Sequence, residues 1–463
     1  MPPMPALPYT SLGHVRIETI LYAVLAAGLS AGCESHYAKT DTGKDLSVEE
    51  LSTENLEATS MELRWSSPQP IQAQLRYGIE SINENTVIID GAPSLEHQVR
   101  LHFLRPDTEY RFRVELMVNT FVVGSESGSF VTSPVPDELP DLEVTVNLLE
   151  NPKLILASMM GNVMSPVVIS QEGYYAWWHI EQEEGLLAPR ARLANDGQSI
   201  YYTAYDRGES EEPDAVYTMK RVWLGDGTVD SFDIRLHHHD FDLLPDDSIA
   251  WIKGDMRTES DSSYRGDSIV ETAPDGVETV IWSSWDHLDF DMDEPCNASE
   301  NNVWTHANAL NYDDEQGLYL LSVRETDSIV AIKRSTGETQ WILGGCESDF
   351  DFGGTMPFDG QHQNQFLGDS ILVYDNQPSL NVSRVVEYGF GENGAGVRKI
   401  WSYDADGAYS TKILGDVQRL DSGHTLITWS TAATMEEVDP TGQLHWQAVF
   451  GFGTVLGYNT LLE

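Results

Sequence analysis

Three histidine-bearing strings recur along the chain: His237-His238-His239-Asp240, Thr305-His306-Ala307-Asn308 and Gln361-His362-Gln363. They stand about 55 to 67 residues apart, each just ahead of a strand-like run. A fourth string, Leu321-Ser322-Val323-Arg324, follows the second. The chain has 13 histidines and 27 Lys+Arg in 463 residues, so three His and an Arg at matching places concentrate neutral bases and a cation. A neutral imidazole is a competent nucleophile or base near pH 7. Amide and guanidinium donors stabilise negatively charged oxygens. Three His could also hold zinc or copper, but Asn308 and Arg324 suit an anion better than a cation. We therefore assign no metal. Strand alternation puts His238 and His239 on opposite faces. His239 is placed in the site because it directly precedes Asp240, and His238 is kept as a substrate-binding candidate.

Residues this far apart can meet only if the elements carrying them are structurally equivalent. The sequence supplies such elements. Ala191–Ile200, Phe241–Ile249, Ala309–Leu320, Gln365–Leu372 and Gln418–Leu426 each read as a strand, a Gly- or Asp-containing turn and a second strand. The residues just ahead of four of these units are His239, His306, His362 and Asp416. Ile332–Trp341 and Val438–Trp446 add a strand, a Gly turn and a strand ending in Trp. Four strands in about 55 residues make one propeller blade, and residues 141–463 hold about six. The first strand of each blade lines the axis, so the three His strings converge on one axial pocket. The fold expected is all-β, a six-bladed β-propeller preceded by a smaller β-sandwich.

At these strings the sequence resembles the bacterial arylsulfate sulfotransferase family. The matching features are His-His-Asp before a Leu-Pro turn, His-x-Asn followed by Ser-x-Arg, and Gly-x-x-x-Trp-x-Leu-Gly-Gly. Gln-His before Ile-Leu-x-x-Asp-Asn, Ser383–Tyr388 and Gly415-Asp416-Val417-Gln418 also fit. The resemblance covers most of Arg190–Trp446. It implies transfer of a sulfuryl group from a phenolic sulfate ester to a phenol, without the nucleotide sulfate donor and with no cofactor. His362 would be the transiently sulfated nucleophile. His306 and Asn308 would hold sulfate oxygens, Arg324 would neutralise them, and His239 would donate to the oxygens or the leaving group. Ser410 and Thr411 are hydroxyl candidates from the next blade. Loose transfer transition states place charge on equatorial oxygens, which is what these donors suit. A non-catalytic exported propeller lipoprotein, serving as an envelope scaffold or binder of sulfated ligands, is the alternative. His287, His424 and His445 read as surface residues, and Arg384 as a strand pin.

Ahead of the repeats, residues 48–134 read as a small β-sandwich. Leu104-Arg105-Pro106-Asp107-Thr108-Glu109-Tyr110 and the strand after it resemble the fibronectin type III signature, with Tyr110 as the tyrosine corner and Trp65 in the core. Ser133–Pro140 is a proline-rich linker. Residues 1–33 end an apolar run in Leu-Ser-Ala-Gly-Cys, an export signal with Cys33 as the lipidation candidate, and 34–47 form a polar spacer. Export places the protein in the periplasm or on the outer membrane, with membrane contact only through that anchor. Cys296 and Cys346 then form a disulfide candidate. The acidic run Asp289–Glu294 has calcium-loop spacing, but Glu294 and Pro295 occupy the turn positions, so a solvated loop is expected.

With 74 Asp+Glu against 27 Lys+Arg the formal charge is −47, which excludes a nucleic-acid partner. That field also repels sulfate esters. If transfer is limited by access through it, kcat/KM for an aryl sulfate should rise with ionic strength. A flat or falling salt profile would remove field-limited access.

Overall fold

The computed structural model describes residues 46–182, 186–206, 216–259, 262–290, 302–353, 357–391 and 396–462. Strands dominate; the longest helix among the described residues is the single turn Ser284–His287. Glu49–Asn55, Met61–Gly78, Asn85–Leu101, Glu109–Val118 and Phe121–Val131 make the N-terminal β domain. Leu63, Trp65, Leu75, Phe112 and Phe130 fill its core. The Tyr110 hydroxyl accepts from the Arg105 backbone N–H at 2.9 Å, the corner expected from sequence. Leu63–Trp65 and Ile71–Tyr77 belong to one long strand, Met61–Gly78. Its register shifts between Ser66 and Ala73, where Pro68 and Pro70 lack the N–H needed for regular pairing.

Six antiparallel sheets follow. Sheet I holds Ala191–Leu193, Leu186–Leu187, Ser199–Asp206, Val216–Trp223 and Val229–Arg235. Sheets II, III, IV and V open with His237–Leu243, Ala307–Asp313, Asn364–Phe366 and Asp416–Arg419, and each adds three further strands in hairpin succession. Leu142–Asn147 extends the outer edge of sheet V. Sheet VI pairs the C-terminal strand Thr454–Leu462 with Leu154–Gly161, so both ends of this region share one sheet. The turns that recur in the sequence have a physical basis: Gly197, Asp247, Gly317, Gly368 and Gly423 all take left-handed backbone there.

Apolar side chains join each sheet to the next. Met219 and Ile234 of sheet I meet Phe241 and Trp251 of sheet II. Ile252 and Trp282 of sheet II meet Leu310 and Tyr319 of sheet III. Comparable clusters join III to IV, IV to V, V to VI and VI to I.

A polar centre joins all six. Arg190, just ahead of Ala191–Leu193, donates through Nε to Asp240 Oδ1 at 2.9 Å and through Nη2 to Oδ2 at 3.3 Å. Asp240 Oδ2 also accepts from Leu310 N at 2.9 Å and Gln363 Nε2 at 2.7 Å. Arg190 Nη1 donates to Asn459 O at 3.3 Å and lies 3.6 Å from Asp416 Oδ2. Asp416 Oδ2 accepts from Asn459 N at 2.6 Å. One residue on, or directly ahead of, a strand of each sheet therefore reaches this centre. Burial favours the neutral Asp240 acid, but the Arg190 charge and its hydrogen bonds outweigh it and hold the carboxyl below its ordinary value. Asp416 is farther from the cation, and burial pushes it up to about 6.

Removing the cation should leave two buried carboxylates facing one another. Arg190→Met is expected to cost about 3–5 kcal/mol in urea unfolding, with Asp240→Asn in the same chain recovering part of the loss. A loss within about 1 kcal/mol, typical of an exposed pair, would show that the centre does not hold the sheets together.

Candidate active site

The three His strings meet where the first strands of sheets II, III and IV begin. Left-handed backbone sets the approach: Leu236 has φ 59°, His239 φ 61° and His306 φ 50°. Pairing between the first two strands of sheet II shifts register between His237 and Phe241. That irregularity corrects the alternation argument. His238 and His239 do not diverge to opposite faces; their rings stand perpendicular with Nδ1 atoms 2.9 Å apart.

Each imidazole has a distinct setting. His237 is buried edge-on against Trp251, its Nδ1 3.2 Å from Ile252 O. His238 Nε2 lies 2.8 Å from Asp267 Oδ1. His239 Nε2 lies 3.3 Å from His306 Nε2. His306 Nδ1 is 3.6 Å from Glu325 Oε1. Arg324 follows the second strand of sheet III; its backbone N–H donates to His306 O at 3.2 Å and its guanidinium pairs with Glu325. Glu325 thus occupies the cation that an incoming anion would need.

His362 is buried, and its Nδ1 lies 2.7 Å from Asn376 Oδ1. The Asn376 amide nitrogen donates to Thr411 O at 2.7 Å and Leu414 O at 2.9 Å. Those two carbonyls fix the amide orientation, so Asn376 Oδ1 must accept. His362 therefore carries its proton on Nδ1 and its lone pair on Nε2. Burial favours the neutral ring, and the nearby Arg324 charge reinforces it against the Asn376 hydrogen bond, leaving His362 at about 3. His306 is held at about 3 by burial, then by the charges of Arg324 and Arg265. His239 lies well below its ordinary value through burial and the neighbouring His306, His238 and His362. All three are neutral at pH 7, and their mutual influence places them in one electrostatic environment.

Asn308 makes a contact with the strand start of His362. Its amide nitrogen donates to Gln361 O at 2.8 Å, just ahead of His362, and its buried Oδ1 has no hydrogen-bond partner among the described residues. This is the geometry of a residue that positions the His362 backbone. The Thr411 hydroxyl sits between Tyr374 (2.6 Å) and Ser383 (3.1 Å), and Ser410 is exposed. Arg384 bonds Asp375 at 2.8 Å and Pro357 O at 3.1 Å, as a strand pin should. Cys346 is disulfide-bonded. Cys296, Cys33 and positions 291–294 of the acidic run lie outside the described residues.

Sequence reasoning missed Asp267, Arg265, Glu325 and Asn376. Asp267 and Arg265 sit on an inner strand of sheet II, and Asn376 directly follows a strand of sheet IV, away from the first-strand positions that the repeat made comparable. Glu325, directly after Arg324, was legible as an adjacent opposite charge.

Comparison with known proteins gives two family matches. Residues 224–449 match the model Arylsulfotransferase (ASST), and residues 46–132 match Fibronectin type III domain. No curated protein matches the chain. Among solved structures, a chain of a nidogen/laminin complex is 12% identical, over 67% of this chain and 98% of that one, with TM-score 0.41. A putative 6-phosphogluconolactonase from Bacteroides uniformis is 8% identical over 68% and 100%, with TM-score 0.37. These scores are too low to bear on the architecture.

Burying neutral imidazoles has a thermodynamic consequence. An unfolded histidine titrates near 6.5, so between that value and about 3 the unfolded chain binds more protons than the folded one. Stability should be complete above pH 6.5 and fall on acidification, by about 1.4 kcal/mol per buried imidazole per pH unit. Unfolding free energies from urea titrations at pH 7.5 and 5.5 should differ less in His362→Gln than in wild type, by about 1.4 kcal/mol. Equal pH slopes in the two proteins would show that His362 is not held neutral.

Proposed function

Residues 224–449 match the arylsulfotransferase family model, and from that match we propose that the protein moves a sulfuryl group from a phenolic sulfate ester to a phenol, independently of a nucleotide donor, through a sulfohistidine at His362. The observation that carries this reading is the fixed tautomer of His362. Asn376 orients the ring with the Nε2 lone pair available, beside two further neutral imidazoles and Arg324.

In this reading Nε2 attacks sulfur in line with the departing phenolate. The S–O bond breaks and the N–S bond forms. Arg324, released from Glu325 by the incoming anion, balances charge on the equatorial oxygens, and His306 donates its Nε2–H to them on turning it from His239. A phenol oxygen then attacks sulfur and the electron pair returns to Nε2. Asn308 contributes by holding the backbone ahead of the nucleophile, and His238 by orienting His239.

The architecture proposed with this chemistry is a six-bladed propeller over residues 141–463. The six sheets, their successive apolar contacts and the shared Arg190–Asp240 centre support it. The fibronectin module over 48–134 acts as a spacer or docking unit. We place the protein outside the cytoplasm, with residues 1–33 as export signal, 34–47 as spacer and Cys33 as lipid anchor.

The test follows nitrophenolate release from p-nitrophenyl sulfate with phenol as acceptor. Wild type should release nitrophenolate and form phenyl sulfate, and His362→Ala should lose at least about 1,000-fold in kcat. Release undiminished in His362→Ala, or absent in wild type with every phenol tried, would overturn the proposal.

A further inference from the structure

The histidines of the site are tied to a buried carboxylate by an unbroken series of short contacts. Asp267 Oδ1 is 2.8 Å from His238 Nε2, His238 Nδ1 is 2.9 Å from His239 Nδ1, and His239 Nε2 is 3.3 Å from His306 Nε2. Asp267 is almost wholly inaccessible. Its other oxygen accepts from Thr305 Oγ1 at 2.6 Å and Ala307 N at 2.6 Å, and its own N–H donates to Ser284 Oγ at 3.0 Å. The carboxylate is therefore held by sheet II and by the segment leading into sheet III, on either side of His306.

This arrangement fixes the order of protons. Although burial raises it, Asp267 is held at about 2, with His238 the largest opposing influence, so it is an acceptor at neutral pH. His238 must donate from Nε2. As a neutral ring it then accepts at Nδ1, from His239 Nδ1–H. His239 accepts at Nε2, from His306 Nε2–H. Every proton in the row points toward Asp267, and the His239 Nε2 lone pair becomes available to a substrate proton once His306 turns its Nε2–H to the sulfuryl oxygens.

We infer that Asp267 and His238 are positioning residues of a proton relay that lets His239 take the hydroxyl proton of the acceptor phenol and return it to a later leaving phenolate. The inference rests on the sulfuryl-transfer reading above. When a phenol oxygen bonds to sulfur and the N–S bond to His362 breaks, the phenol proton passes to His239 Nε2. The Nδ1 proton of His239 moves to His238 Nδ1, giving an imidazolium hydrogen-bonded to the Asp267 carboxylate. In the next donor half-reaction the shift reverses, and the departing phenolate leaves as phenol while its sulfur bonds to His362. Each cycle converts one sulfate ester and one phenol into another such pair, with no net proton gained or lost.

The relay predicts an acceptor-dependent defect. With p-nitrophenyl sulfate as donor, Asp267→Asn should lose about 100-fold in kcat with phenol, a weak acid that arrives protonated. With a polyfluorinated phenol already ionised at the assay pH, the loss should stay within about tenfold, because no proton needs removing. Equal losses with both acceptors would mean that Asp267 only supports the fold, and no loss with either would mean that the relay is unused; both results overturn the inference. If Asp267→Asn does not fold, His238→Asn provides the same comparison. Histidine 15N spectra of the wild-type protein give a readout independent of turnover. They should show protonated Nε2 on His238 and protonated Nδ1 on His239, and the reverse pattern overturns the relay. Correct tautomers in a protein that transfers no sulfuryl group would fault the proposed reaction and not the proton order.

Discussion

A single buried guanidinium organises this molecule. Arg190 reaches Asp240, Asp416 and Asn459, while Asp240 also collects the Leu310 backbone and Gln363. Burying ions is costly unless each is fully paired. Here the pairing is supplied by six different sheets, so the charges are satisfied only when all six are assembled. Apolar contacts between neighbouring sheets provide the bulk of the packing, but they are local and tolerate small rotations. The central pair has hydrogen bonds toward sheets III, IV and VI and an ion-pair contact with Asp416 of sheet V, and so fixes how the strand starts face one another.

The chemistry depends on that constraint. Asp240 directly follows His239, and Gln363 directly follows His362. Both neighbours bond into the same centre, so the hub sets the spacing of two site histidines through one peptide unit each. Above it, each imidazole is neutral and finds a partner that determines which nitrogen carries the proton: Asn376 for His362, and Asp267 through His238 for His239. Glu325 brings one carboxylate to the pocket, and it is paired with Arg324.

Much of this was legible from residue order. The strand–turn–strand units predicted around Asp196-Gly197, Asp246-Asp247 and Ser422-Gly423 are hairpins, because left-handed turn residues and alternating apolar runs are local signals. Tyr110 and its Leu-x-Pro turn identified the small domain for the same reason. The bringing together of His239, His306 and Arg324 followed from repeat phase. Where local backbone departed from the repeat, the reading failed. Left-handed His239 and the register shift beside it turned His238 back toward its neighbour, and alternation could not anticipate that. Asn308, assigned to substrate by type, also holds the Gln361 carbonyl through its amide nitrogen, a contact that residue type alone does not reveal.

Residue order by itself determined an all-β chain, a fibronectin-like module ahead of a repeat array, and histidines at a common phase of three repeats. These are consequences of periodicity and turn chemistry, which act over a few residues. Only the tertiary structure decided which nitrogen of each imidazole holds a proton, which amide is already occupied, and that Arg190 joins six sheets. Hydrogen bonds are directional over about 3 Å, and the groups that satisfy them come from strands separated by tens to hundreds of residues, so no spacing in the sequence encodes them.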